Sequence, residues 1–554
     1  MSLTSSLRTV PVIAVALSAT LLLSSCSSGS GGDPGGDAGT ASSAAAGERV
    51  DGGSITVYSA TVRTIDPRQN HGFVGRALAD SLLDIDPETF EYKPWLATDW
   101  SVNDDQTEFT FVLRDDVTFT DGTPFDAEAV KANFDGAKAQ IEQGSGWYIQ
   151  GLFDFYAGTD VVSDTEVVVR FSEPNPAFLP TIPTSFLSIL SPASFDNTLE
   201  QRQAGEFVGT GPFVLDSYTP NEQITLTRNE DYAWASGAAE HDGPASLESI
   251  TVNFVDEQSV RENALLAGEI QLAQNPTVEG SKQLVAQGFD LYYRAQSGNP
   301  YSFVANFARP LTKDIDVRRA LAKVIDRDTI QQAITTDIEP ASTSVLTPQT
   351  YGYADQSDLI GFDLEGAAKI LDDAGWVPGA DGIREKDGQR LSLIVVNWWE
   401  PKAVIDALQL IKEDAAKAGI EIELVVETPG GSTWASGEYD FLYNNATRAD
   451  GGHALYGQYT DAFLATQGVT AADVTEPGSD LSGIIAQSFT ETDVDVRADL
   501  LAQAQQIIVR DAVRIPIFDN VNSESGYFAA DPRLHGLRES SISELVLADA
   551  WLEQ

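Results

Sequence analysis

The sequence predicts an α/β protein built on mixed sheets. Two observations carry that expectation. Helical stripes of apolar residues end at a glycine and step straight into alternating strands, most clearly where the 405–418 stripe meets Gly419 and then Ile420, Ile422, Leu424 and Val426. Short alternating strands also recur between such stripes from Ser54 to Phe518, without a repeat of fixed period. A chain of 554 residues that is 42% hydrophobic and 9% aromatic can build large cores. At about 150 residues per unit it corresponds to three or four folding units.

The elements follow in chain order. Ser54-Ile55-Thr56-Val57-Tyr58 reads as an opening strand after Gly53. Phe109, Phe111 and Leu113 alternate after the polar turn Asn103-Asp104-Asp105, and two further runs between Val161 and Phe171 are split by Ser163-Asp164. Thr123-Pro124-Phe125-Asp126 has capping-box spacing and opens a helix carrying Val130, Phe134, Ala137 and Ile141. Gly209-Thr210-Gly211-Pro212 lacks the third glycine of a dinucleotide loop, and Pro212 removes a donor. It therefore reads as a bend entering a strand. Asp316 opens a helix with Val317, Ala320, Leu321, Val324 and Ile325 on one face. Arg318 and Arg319 flank it, expected in water or paired with acids. Leu364, Ala367, Ala368 and Leu371 form another, closed by Gly375 as a left-handed residue. A last helix near 496–509 leads into Ile515-Pro516-Ile517-Phe518.

Charge narrows the function. Lys+Arg number 34 and Asp+Glu 83, a formal charge of −49. A nucleic-acid partner needs a basic footprint that this chain lacks. The four histidines, His71, His241, His453 and His535, are too scattered for a metal cage, and no cofactor motif is present. No His-Glu-x-x-His, Gly-x-Ser-x-Gly, Ser-x-x-Lys or Walker pattern occurs, so no enzyme class is indicated.

The first residues read as an address. Arg8 precedes an apolar run from Val10 to Leu23 of about fifteen residues, shorter than the roughly twenty a bilayer span needs. The run ends in Leu23-Ser24-Ser25-Cys26, which resembles a bacterial lipobox, and Cys26 is the only cysteine. Residues 1–25 are therefore expected to be a signal peptide, and Cys26 the lipidation site. The alternative is a stray buried cysteine. Residues 26–53, rich in Gly, Ser and Ala, are expected to be a flexible tether. The mature body is expected outside the cytoplasm, anchored to the cell membrane by lipid.

Six stretches of the body, in order, resemble one family. They are Trp95–Trp100 with 109–130, which includes Phe119-Thr120-Asp121-Gly122-Thr123-Pro124-Phe125; Val208–Phe213 with Arg228–Tyr232; Leu266–Ile270; Asn306–Ile330, with Asp316–Leu321 and Ile325-Asp326-Arg327; Leu371–Trp376; and Asp511–Pro516. Together they are similar to extracellular solute-binding proteins of ABC importers, family 5, the peptide- and nickel-binding class. The resemblance implies a two-lobed clamshell of the type II periplasmic-binding-protein kind, with an extra subdomain inserted in the first lobe. Mapped here, lobe I runs 54–296 with the insertion at about 90–205. Lobe II runs 297–522, and residues 523–554 return to lobe I.

It further implies capture of short peptides in an inter-lobe cleft by a monomer, without bond chemistry, for delivery to an ABC permease and its ATPase subunits. Nickel-chelate or metallophore binding, or a non-transport envelope role, are the alternatives. In peptide binders of this family an aspartate in the loop after the Glu438–Phe441 segment receives the peptide amine. Asp450 stands in the matching place, although Gly451 replaces the usual proline. Arg448 adds a cation suited to a carboxylate, and Tyr443 precedes both. The competing expectation is an internal Arg448–Asp450 pair. Trp398 and Trp399 should face opposite sides of a strand end, one core and one cleft wall. Tyr58, Arg63 and His71 follow the first strand, where the lobe I wall should lie. Trp147 and Tyr148 sit in a Gly-flanked loop able to reach the cleft. His453 is either structural or a contact to a nickel complex.

Overall fold

A computed structural model describes residues 49–554 apart from 63, 70, 71, 336, 337, 399–401, 429, 520 and 522–526. Two principal sheets carry the body. The first has seven strands, ordered Asp290–Tyr292, Phe528–Ala530, Leu272–Gln274, Ser54–Ser59, Ser249–Phe254, Gln223–Arg228 and Phe213–Thr219. The opening strand is central and parallel to both neighbours, with Val57 opposite Val252 and Leu272. Ile55 and Val57 are buried while Ser54 is exposed, as the alternation requires.

The second sheet has five strands, ordered Glu421–Val426, Ser392–Asn397, Phe441–Thr447, Gly298–Ala305 and Arg514–Phe518. Ser392–Asn397 is parallel to both neighbours, and the Lys402–Lys417 helix leads from it to the Glu421–Val426 strand. Gly419 closes that step with φ +85°. Pro516 sits in the edge strand, where a missing donor is tolerated.

Residues between the first-sheet strands Ser54–Ser59 and Phe213–Thr219 form a four-stranded antiparallel sheet, ordered Ala97–Val102, Glu108–Leu113, Glu166–Phe171 and Tyr156–Ser163. The Ala127–Glu142 helix carries Val130, Phe134 and Ala137 into the same core. Phe109, Phe134, Phe153, Phe171 and Phe178 cluster there, the rings of Phe109 and Phe171 each 4.9 Å from that of Phe178. Such edge and tilted contacts add about 0.5–1.5 kcal/mol per pair beyond area burial.

Three local expectations change. The helix cap is Asp126, which accepts from the Ala129 N–H at 2.9 Å, while Thr123 bonds Asp121 in the preceding turn. The Ile315–Lys323 helix is capped by Asp314 rather than opened by Asp316. Arg318 is neither solvated nor paired as a surface charge. Its guanidinium is fully buried and donates to the carbonyls of Thr312, Lys313, Val474, Asp511 and Ala512. Burial lowers it to about 10, against the pull of Asp511. Arg319 behaves as expected, bonding Asp511 at 2.7 Å and Glu476 at 2.5 Å.

Gly209 and Gly211 bend the chain hard against its neighbours. A Cβ there would lie 2.2 Å from the Leu78 carbonyl oxygen and 2.4 Å from that of Ala77. Between them, Thr210 donates to Asp80 at 3.0 Å. The bend is structural.

Candidate functional site

The chain passes between the two principal sheets beside Ala295 and Val521, which pair antiparallel. Gln296 and Ser297 lead into the Gly298–Ala305 strand and against the end of the Phe441–Thr447 strand. The Arg448 N–H donates to the Ser297 carbonyl, and Asn445 Nδ2 donates to Gln296 Oε1 at 2.9 Å. Gly298 has φ +112°, and a Cβ there would lie 2.1 Å from the Ala446 carbonyl oxygen. Only glycine lets the two strands meet so closely.

The loop after that strand faces the four-stranded subdomain. Arg448 stands 5.8 Å from the Tyr148 ring centroid, and Tyr148 stacks on Phe186 at 4.4 Å and 11°. Burial and the nearby Arg514 guanidinium lower Arg448 to about 10. His453 Nε2 sits 2.9 Å from the Gln150 carbonyl. Burial and Arg448 push His453 down to about 3, so it is a neutral donor there. Tyr456 stacks on Phe489, and Phe489 lies 6.3 Å from Phe155 of the subdomain. One loop therefore brings a cation, a neutral imidazole and aromatic rings to the junction.

Asp450 has a different partner from either expectation. Its oxygens take a bidentate fork from Arg497, at 2.7 and 2.8 Å, and Oδ1 also caps the Gly451–Tyr459 helix through the His453 N–H. Neither side chain is more than 4% exposed. Arg497 and these hydrogen bonds outweigh burial and hold the carboxyl below its usual range. In this arrangement it has no free oxygen for an amine. Tyr443 is fully buried, its ring parallel to Tyr301 at 5.1 Å. Its hydroxyl has no hydrogen-bond partner among the described residues.

The remaining expected residues separate. Trp398 is half-buried and packs edge-on against Trp434 at 5.6 Å, away from the Arg448 loop in sequence. Tyr58 is half-buried against the Leu265 and Leu284 cluster of the first sheet. The Trp147–Ile149 turn is described, but the Trp147 side chain is not. Arg63, His71, Trp399 and Cys26 lie outside the described residues, as do the signal and most of the tether.

Sequence reading missed four groups that shape this junction. Arg497 lies 47 positions from Asp450, too far for local spacing to suggest the pair. Arg514 donates to Gln458 Oε1 at 2.8 Å and to the Asn444 carbonyl at 3.0 Å, fixing the back of the Phe441–Thr447 strand. Glu339 is half-buried, and burial pushes its carboxyl up to about 8 against the Val521 N–H. Asp519, immediately before the return passage, accepts from Ser342 Oγ at 2.7 Å and is pushed up to about 7 by burial.

Comparison with known proteins agrees with this two-sheet plan. Residues 91–462 match the model of the bacterial extracellular solute-binding proteins, family 5 (middle). The chain is 27% identical over 343 residues to the nickel-binding periplasmic protein of Escherichia coli, covering 60% of this chain and 63% of that one. It is 25% identical over 472 residues to the probable di/tripeptide-binding protein 5 of Pseudomonas aeruginosa, covering 79% and 84%. The periplasmic binding protein DppA of Helicobacter pylori, solved with the peptide STSA, superposes with a TM-score of 0.73 at 22% identity, covering 91% of this chain and 99% of that one. The fold is thus the two-lobed, mixed α/β type II arrangement, and the chain belongs to the bacterial extracellular solute-binding proteins of family 5.

Proposed function

We propose that this chain is the capture component of an ABC importer, binding short peptides between its lobes and handing them to a membrane permease without altering them. In this reading lobe I is 54–296, lobe II is 297–522 and 523–554 return to lobe I, with an insertion near 90–205. Cys26 carries the lipid that holds the body to the outer face of the cell membrane, and the body works as a monomer.

The observation that carries the reading is the Arg448 loop. Arg448 brings a guanidinium suited to a carboxylate, its Nη1 also donating to the Thr447 carbonyl at 2.7 Å, beside the Tyr148 ring and the neutral His453, where the second sheet meets the four-stranded subdomain. Closure follows if a ligand touches both sides only in the closed state. The similarity to the di/tripeptide-binding protein favours peptides. The similarity to the nickel-binding protein supports a second reading, a nickel chelate at the same loop.

A thermal-shift panel tests this. Trialanine at about 100 times its Kd should stabilise the chain by about 2.7 kcal/mol and raise the melting temperature by several degrees. A shift with nickel(II)–histidine alone selects the second reading, and no shift with any peptide refutes the first.

A further inference from the structure

We infer that the chain carries a second ligand site beside the Arg514–Phe518 edge strand, a pocket that takes a small amphipathic carboxylate with its head on Arg327 and its hydrocarbon tail against Leu359, Ile360 and Ile370. The pocket is a cavity of about 250 Å³ between the Ile315–Lys323 helix, the Leu364–Asp373 helix, the end of the Val494–Arg510 helix and that strand. None of its lining residues belongs to the 443–456 loop, so it is distinct from the peptide site proposed above. Its size lies just below the roughly 300–1,000 Å³ of drug-sized ligand sites, which suits a small ligand.

Arg327 holds an unmet charge. It is 7% exposed, and no Asp or Glu oxygen among the described residues lies within ion-pair distance of it. Its Nε donates to the Pro516 carbonyl at 2.8 Å, and its Nη1 to those of Ile325 at 3.2 Å and Ala322 at 3.5 Å. Its Nη2 donates to nothing among the described residues. Pro516 and Ala322 line the cavity together with Arg327, which puts the spare nitrogen at the cavity wall. The buried Arg318 shows what a purely structural arginine does nearby, since all three of its nitrogens end on carbonyls. Burial lowers Arg327 to about 10, with only Asp328 pulling the other way, so at pH 7 it stays charged without a close counter-ion. A buried cation of that kind gains from an anion.

The rest of the wall selects the ligand. Lys323 also lines the cavity, and its nearest carboxylate, Asp363, stands 3.8 Å away on a partly exposed side chain. Arg319 and Arg510 line it too, held by Asp511 and by Glu476, the single carboxylate among the described lining residues. Cations thus outnumber carboxylates there, the reverse of the chain as a whole at −49. An adjoining cavity of about 170 Å³ shares Arg327, Ile360 and Gly361 but is bordered by Asp326 and Asp328, so an anion is favoured on the Lys323 side. The spare Nη2 and the Lys323 ammonium supply donors for one carboxylate head. Leu359, Ile360, Ile370 and Val509 offer side chains without polar atoms, which cover a hydrocarbon chain and do nothing for a phosphate.

Isothermal titration calorimetry of the full chain with sodium octanoate tests the inference, with 1-octanol as the tail without the charge and acetate as the charge without the tail. Octanoate should bind one per chain, about tenfold or more tighter than either. Lys323→Glu should weaken octanoate binding about fivefold or more with little change in the melting temperature of the free chain, and Arg327→Lys should weaken it about tenfold or more. Arg448→Ala should bind octanoate as the wild type does, because that guanidinium belongs to the other site. If 1-octanol or acetate binds as tightly as octanoate, if Lys323→Glu binds octanoate as the wild type does, or if Arg448→Ala abolishes its binding, the inference falls. It falls equally if the wild type takes up no octanoate. Should Arg327→Lys fail to fold, the Lys323→Glu and Arg448→Ala results decide.

Discussion

Replacing Asp450 with asparagine separates a structural carboxylate from a ligand-binding one. Arg497 aims two nitrogens at the two Asp450 oxygens, 2.7 and 2.8 Å away, in a site where neither group is more than 4% exposed. Asparagine keeps one oxygen and can still cap the Gly451–Tyr459 helix. Its amide nitrogen, however, would meet an Arg497 nitrogen, donor against donor. The buried guanidinium would lose its counter-charge and retain the Ser488 carbonyl at 2.9 Å and the Tyr351 ring at 5.2 Å. Breaking one side of a buried pair costs about 3–5 kcal/mol. Asp450→Ala should cost about 1 kcal/mol more, because the cap is lost too. Arg497→Met together with Asp450→Asn should recover a large part, since no charge remains buried. Urea unfolding followed by tryptophan fluorescence reads all three. A loss below about 1 kcal/mol for Asp450→Asn, or a double variant worse than the single, would refute the reasoning.

Gly209→Ala should destabilise the chain by about 2 kcal/mol or more, because the new methyl meets the Leu78 carbonyl at 2.2 Å; the urea midpoint should drop or soluble yield should collapse. Arg448→Ala should weaken trialanine binding tenfold or more while moving the melting temperature little, which calorimetry and a thermal scan check together. Melting temperature should peak at about pH 4.5 and fall toward about pH 8. Glu339, at about 8, and Asp519, at about 7, hold protons in the folded chain that the unfolded chain has released above about 4.5, so stability is lost as pH rises through that window. His453 at about 3 stays neutral while the unfolded imidazole charges below about 6.5; the two carboxyls outweigh this opposing loss down to about pH 4.5, and below that it lowers stability. Glu339→Gln should flatten the alkaline limb; an unchanged profile would contradict the assignment of that limb to Glu339.

The fold was legible because its signals are local. The Gly419 step, the 109–113 alternation and the Ile405-to-Ala418 stripe each need only a dozen neighbouring residues, and all reappear as elements. The family resemblance singled out the Arg448 loop; in the structure Arg448 stands by Tyr148 and His453 by the Gln150 carbonyl, both in the four-stranded subdomain's segment. The partners were not legible, because they are chosen across the sequence. Asp450 found Arg497 rather than Arg448, two positions away, because the Val494–Arg510 helix brings a guanidinium into the same buried space. Arg318 looked like one of two interchangeable flanking cations. Only packing shows that its neighbour Arg319 takes the acids while it takes carbonyls. Glu339 had no motif at all, and its raised carboxyl comes from burial that no local pattern announces.

Arg318 also bears on how the body tolerates its surroundings. A single cation ties together three separate stretches, at 312–313, 474 and 511–512, through neutral oxygens in a place that mobile ions do not reach. Brine therefore has little hold on that knot. The repulsion among the many surface carboxylates, by contrast, is what dissolved salt quenches. An acidic coat over a salt-proof interior should make the body sturdier as ionic strength climbs, as suits a member of a family of extracellular binding proteins.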